Sequence, residues 1–316
     1  MREDRALTVA LITHPACLEH DTGPWHPECA DRLRYVLRAL EAEEFLPLVR
    51  EAAPLATIEQ LTRVHPEDYV RAILAIVPEP GETVAIDADT LMSHGSAEAA
   101  LRAAGAAVHG VDAVMEGWAR RAFAAVRPPG HHAERNRAMG FCFFSNAAVA
   151  ARHAQVRWGL TRVAVVDFDV HHGNGTQDIF YHDAALFYGS SHQFPCYPGT
   201  GRAVEQGVAE NVVNAPLPPG ATGAAFHAAW SDTILPALDR FAPELLIVSA
   251  GFDAHKADPL AQLRLETADF GWITERLIEI AARHSRGRLV SVLEGGYDLD
   301  ALAASATLHV RTLLQG

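Results

Sequence analysis

Six short apolar runs spread over the chain constrain its fold more than any other feature. They are "LTVALI" (7–12), "AFAAV" (122–126), "VAVVDFDV" (163–170), "ALFYGS" (185–190), "LLIVSAGF" (245–252) and "LVSVLEGG" (289–296). Each is apolar almost continuously rather than at every second position. A strand with one wet face alternates, whereas a strand covered on both faces does not. The runs therefore predict a parallel sheet buried between two layers. Segments 29–43, 95–117, 145–158 and 267–285 place apolar residues at three- and four-residue steps, so they read as the covering helices. Ser145 and Thr267 are the expected N-caps of the last two. Alternation of strand and helix predicts an α/β fold with a mainly parallel central sheet flanked by helices. No internal repeat or low-complexity linker interrupts it, and residues 1–316 read as a single domain.

Nearly every run ends in a polar cluster: "RPPGHH" (127–132), "DFDVHH" (167–172), "SSHQ" (190–193), "FDAHKAD" (252–258) and "EGGYD" (294–298). In open α/β sheets the ligand site lies at the carboxyl ends of the strands. Five distant clusters are thus expected to converge on one crevice.

Their chemistry is that of a metal site. In an extended strand Asp167, Asp169 and His171 share a face, so Asp169 and His171 are positioned to reach one cation. Carboxylate with imidazole suits zinc or a similar divalent ion, and a catalytic zinc takes three protein ligands. Asp253, emerging directly from an apolar run, is the candidate third ligand. A buried carboxylate–histidine pair is the competing reading of "DFDVHH" taken alone. The adjacent His131 and His132 follow a rigid Pro-Pro-Gly turn; neighbouring imidazoles suit proton transfer better than joint ligation, and Asp167 is free to orient one of them. Tyr297, after a flexible double glycine, can donate a hydrogen bond to a developing oxyanion, or simply pack on the core.

Composition narrows the function classes. The net charge is −13, which opposes nucleic-acid binding, and no run reaches the length of a membrane span. Four scattered cysteines without a CxxC pair favour free thiols in a reducing compartment, so a cytoplasmic location is expected, with a homo-oligomer left open.

Together "RPPGHHA", "GFCFFSN", "DFDVHHGNGTQ", "SAGFDAH" with "DPL", and "EGGY" resemble the histone deacetylase family, particularly its class II and bacterial amidohydrolase-like members. The resemblance runs from "HPECADRL" to "EGGYDLDAL" and implies the arginase–deacetylase fold. It implies a zinc-dependent amidohydrolase that removes acetyl or other short acyl groups from lysine side chains, with one zinc held by Asp169, His171 and Asp253. It pairs His131 with Asp167, makes His132 the general base and acid, and gives Tyr297 the substrate carbonyl. Gly140 would accept the substrate amide N–H, Phe141 and Tyr197 would flank the acyl-lysine tunnel, and Asp89 would grip substrate backbone at the rim. Arg32 matches an interior arginine associated with acetate exit, and a potassium ion is implied at Asp167, Asp169, His171, Ser190 and Ser191.

Four positions shape these expectations. Asn174 stands where class I enzymes have an aspartate, so a neutral partner would hold His132 and favour it as a base. Tyr197 replaces a common phenylalanine, and Tyr297 is retained where weakly active relatives carry histidine. Leu260 occupies the place of an acidic gatekeeper in polyamine-selective relatives, which favours acylated lysine over small acylated amines, although segments 14–28 and 192–203 also shape the entrance. An arginase-like dinuclear site would want more carboxylates around His171. A non-catalytic acyl-lysine-binding scaffold would not need Tyr297 with both histidines.

Overall fold

The computed structural model describes residues 8–316, so Leu7, the first residue of the first apolar run, lies outside them. Ten strands follow in chain order: β1 (Val9–Thr13), β2 (Val49–Ala52), β3 (Thr83–Ala85), β4 (Leu91–Ser93), β5 (Arg121–Ala124), β6 (Val163–Asp167), β7 (Leu186–Gln193), β8 (Val212–Leu217), β9 (Leu245–Ala250) and β10 (Leu289–Leu293). Eight of them form one sheet in the order β2-β1-β5-β10-β9-β6-β7-β8, and every neighbouring pair is parallel. The short antiparallel hairpin β3–β4 stands apart and carries Asp89 in its loop.

Continuous apolarity does what it predicts. Val163, Val165 and Val166 are wholly buried, and each such side chain contributes about 1.5–3 kcal/mol by leaving water. The expected helices occupy Ala30–Ala39, Ser96–Glu116, Asn146–Trp158 and Thr267–His284, close to their sequence bounds. Two caps differ. Glu266, not Thr267, caps the helix Thr267–His284 and forms a capping box with Asp269, whose Oδ2 accepts from Glu266 N (2.8 Å). Ser145 does hold the cap position, but its hydroxyl makes no cap bond and is buried without a partner.

The strand expected over 163–170 ends at Asp167. Asp169 and His171 therefore lie in the loop beyond it, and strand alternation is not what brings them together. Among the described residues all four cysteines are free, and no helix is long and apolar enough to cross a membrane.

Candidate active site

The loops after β5, β6, β9 and β10 meet at the carboxyl edge of the sheet. There the donor atoms of Asp169, His171 and Asp253, all buried, lie within 4.8 Å of one another. His171 Nδ1 is 3.0 Å from Asp253 Oδ2 and 3.2 Å from Asp169 Oδ1. Donors at about 2.0–2.2 Å from one tetrahedral ion stand about 3.3 Å apart, so the trio has the right spread.

Backbone amides aim the carboxylates: Val170 N donates to Asp253 Oδ1 (2.7 Å), and Gly295 N donates to Asp169 Oδ2 (2.8 Å). The glycines are there for close approach. A Cβ on Gly251 would meet Asp169 Oδ2 at 2.0 Å, and one on Gly295 would meet Asp253 Oδ2 at 2.2 Å. Burial, then the Asp169 charge, push the Asp253 carboxyl up, and a divalent cation held by the trio would offset that repulsion. Oxygen and imidazole donors of this kind fit zinc.

The two histidines are oriented separately. His131 Nδ1 donates to Asp167 Oδ2 (2.9 Å), which also accepts from the Tyr188 hydroxyl (3.0 Å). Asn174 Nδ2 donates to Glu134 Oε1 (2.8 Å), which turns the amide oxygen towards His132 Nδ1 (2.8 Å). His132 Nδ1 must then carry the hydrogen, and Nε2 keeps its lone pair. Burial first, then the positive fields of His131 and His171, hold the His132 pKa well below its ordinary value. The turn carrying both rings is pinned by Glu294, whose Oε2 accepts from Gly130 N (2.7 Å) and His131 N (3.2 Å).

A cavity of about 220 Å³ opens onto this group. It is lined by Asp89, His132, Gly140, Phe141, His171, Tyr197, Leu260 and Tyr297. All five expected substrate contacts thus share one cavity. Phe141 adopts a left-handed φ of 69°, secured by its N–H donating to Thr90 Oγ1 (3.1 Å). It meets the Tyr297 ring edge-on at 5.9 Å, and Tyr197 meets the His132 ring at 5.1 Å. Burial raises the Tyr297 phenol well above its usual pKa, so the hydroxyl keeps its proton.

Of the residues expected to hold potassium, Asp167 ends β6, and Ser190 and Ser191 lie on the neighbouring strand β7. Asp167 and Ser190 are ladder partners, but Ser190 and Ser191 are consecutive in β7 and face opposite ways. The Ser190 hydroxyl bonds His192 Nδ1 (2.9 Å) and that of Ser191 accepts from Trp230 Nε1 (2.9 Å).

Three features of the site were not anticipated. Asp258 accepts from Leu260 N (3.0 Å) and Tyr297 N (2.7 Å), joining the rim to the phenol. Glu134 sets the Asn174 amide. Buried Glu28 pairs with Arg32 and Arg127, while Arg32 also donates to the carbonyls of Glu294 and Gly296 and packs 4.8 Å from the Tyr297 ring centre. Burial disfavours charge on Glu28, but Arg127 holds its carboxyl well below the usual range. Only the i,i+4 spacing of Glu28 and Arg32 hints at this network in sequence.

The sequence matches the histone deacetylase domain over residues 26–313. A histone deacetylase-like amidohydrolase of Pseudomonas aeruginosa is 42% identical over 300 residues, covering 92% of this chain and 77% of that protein. A probable deacetylase of Archaeoglobus fulgidus is 36% identical over 316 residues, covering 98% of this chain and 87% of that one. The crystal structure of the HDA15 HD domain superposes with a TM-score of 0.90 at 34% identity, over 98% of this chain and 88% of that chain.

Proposed function

The chain belongs to the histone deacetylase family, and from that premise we propose a zinc-dependent amidohydrolase that removes acetyl or other short acyl groups from lysine side chains. The observation that carries this reading is a cavity lined by His132, His171 and Tyr297, with His171 part of the buried Asp169–His171–Asp253 trio. A divalent cation held by that trio would supply Lewis acidity to polarise a carbonyl and to make water a better nucleophile.

The other roles fall to side chains. His132 Nε2 takes the proton of the attacking water, its ring held by Asn174. The Tyr297 hydroxyl donates to the acyl oxygen as negative charge develops there; one such donor is worth about 3–4 kcal/mol. The Gly140 carbonyl accepts the substrate N–H, with Phe141 and Tyr197 flanking the aliphatic chain. The histidine pair returns a proton to the departing amine. Asp89 at the cavity grips the backbone of a peptide substrate, and four free thiols suit a reducing compartment such as the cytoplasm.

Apolar Leu260 in the lining favours acylated lysine over a polyamine, whose second ammonium would want a carboxylate there. Measuring kcat/KM for acetyl-lysine peptides against N-acetylputrescine, with and without chelator, tests both parts. An advantage of more than about tenfold for the polyamine rejects the substrate assignment. Full activity in chelator rejects the metal.

A further inference from the structure

A cavity of about 740 Å³ lies at the opposite end of the sheet. Arg120, Arg162, Glu244 and Arg288 line it, and each directly precedes a strand: β5, β6, β9 and β10 respectively. Arg286 and the half-buried Trp118 join them. In a chain of net charge −13, four guanidinium groups around one cavity require an explanation.

The pairing of these arginines is unusual for this protein. Elsewhere Arg71 holds Glu67, Arg283 holds Asp239 and Arg311 holds Glu44. Around the cavity, Arg120 donates to the Arg286 carbonyl (2.8 Å), Arg162 to the Ala242 carbonyl (2.9 Å) and Arg288 to the Met115 thioether. Among the described residues none of the four has a carboxylate ion-pair partner. The one acid present, Glu244, has its Oε2 occupied by Thr161 N (2.8 Å), Thr161 Oγ1 (2.9 Å) and Arg162 N (3.0 Å). Arg286 keeps a left-handed φ of 55°, a conformation that costs about 1–2 kcal/mol outside glycine. Burial, then the Arg286 charge, lower the Arg288 pKa; Glu244 opposes the shift and Arg120 adds to it.

We propose that this cavity binds a small molecule carrying clustered phosphates, with Arg120, Arg162, Arg286 and Arg288 as its charge partners. Guanidinium forks match phosphate oxygens two at a time, and an oligoanion relieves their mutual repulsion. The volume lies within the range of about 300–1,000 Å³ typical of small-molecule sites and exceeds what a bare phosphate chain needs. Trp118 supplies a flat apolar face for an attached organic group. A five-residue strand separates this end from the catalytic loops by roughly 16 Å, so binding here does not compete with substrate.

Isothermal titration of the metal-loaded protein with inorganic triphosphate and, separately, with ATP tests the proposal. One-to-one binding tighter than about 100 µM at low salt, weakening as salt is added, is expected. The double variant Arg120→Glu and Arg162→Glu, both exposed positions, should lose roughly a hundredfold in affinity while turnover and Tm stay unchanged. An ATP affinity about tenfold above that of triphosphate assigns the organic part to Trp118; equal affinities assign the phosphates alone. The proposal is overturned if neither ligand saturates below about 1 mM, if the double variant binds equally well, or if only an oligoglutamate peptide binds.

Discussion

Asn174 Nδ2 and Glu134 Oε1 meet at 2.8 Å, and that contact decides which end of the amide faces His132. An aspartate at 174 would set a carboxylate oxygen against Glu134. Asn174→Asp is therefore expected to cost about 1–3 kcal/mol of stability and roughly 10- to 100-fold in kcat. Adding Glu134→Gln should recover most of both losses. A single variant with wild-type Tm and turnover would refute this reading of the contact.

Tyr297 is clamped by Arg32 at 4.8 Å and Phe141 at 5.9 Å, and neither contact uses the hydroxyl. Its main-chain N–H is tied to Asp258 instead. Tyr297→Phe should keep Tm and metal content yet lower kcat by about 10²–10³. Near-normal kcat would remove the tyrosine from the chemistry.

Asp253 offers one oxygen to Val170 N and the other to the trio. Asp253→Asn retains an acceptor for the amide, so the loop is expected to persist while the metal is lost. Elemental analysis should fall from about one zinc per chain to a small fraction of that. A full complement of metal in this variant, or in Asp253→Ala, counts against the ligand set.

His309 is buried between Thr274 Oγ1 (2.6 Å) and Ser291 Oγ (2.8 Å), with Phe123, Phe168 and Phe252 around the ring. Burial lowers its pKa to about 3, against an ordinary value of 6.5. The unfolded chain thus binds a proton that the folded chain refuses, and the stability contributed by the neutral ring declines as pH falls from 6.5 towards 3. Urea unfolding of His309→Gln should show a flatter loss of ΔG over that window, by up to about 1.4 kcal/mol per pH unit. An unchanged slope would show that other groups govern it.

Much of the sheet was legible because fully covered strands leave unbroken apolar runs. The six runs became β1, β5, β6, β7, β9 and β10. The edge strands β2 and β8 were not read. Val49, Arg50 and Ala52 in β2 are exposed, and β8 contains Asn214 and Pro216, so neither carries the apolar run that marks an inner strand. The double glycine before Tyr297 was read as flexibility, whereas Gly295 is packed tightly against two carboxylates.

The order of residues along this chain by itself determined the strand-ending clusters and the donors at the strand tips, since covalent neighbours and local periodicity carry that information. Tertiary structure alone decided which distant groups touch: Glu134 with Asn174, Asp258 with both Leu260 and Tyr297, Glu28 with Arg127. It also carried Asp169 and His171 past the end of β6 to meet Asp253. Such contacts depend on where loops land once apolar strands are buried, and a buried polar atom takes whichever partner the packing leaves within about 3 Å.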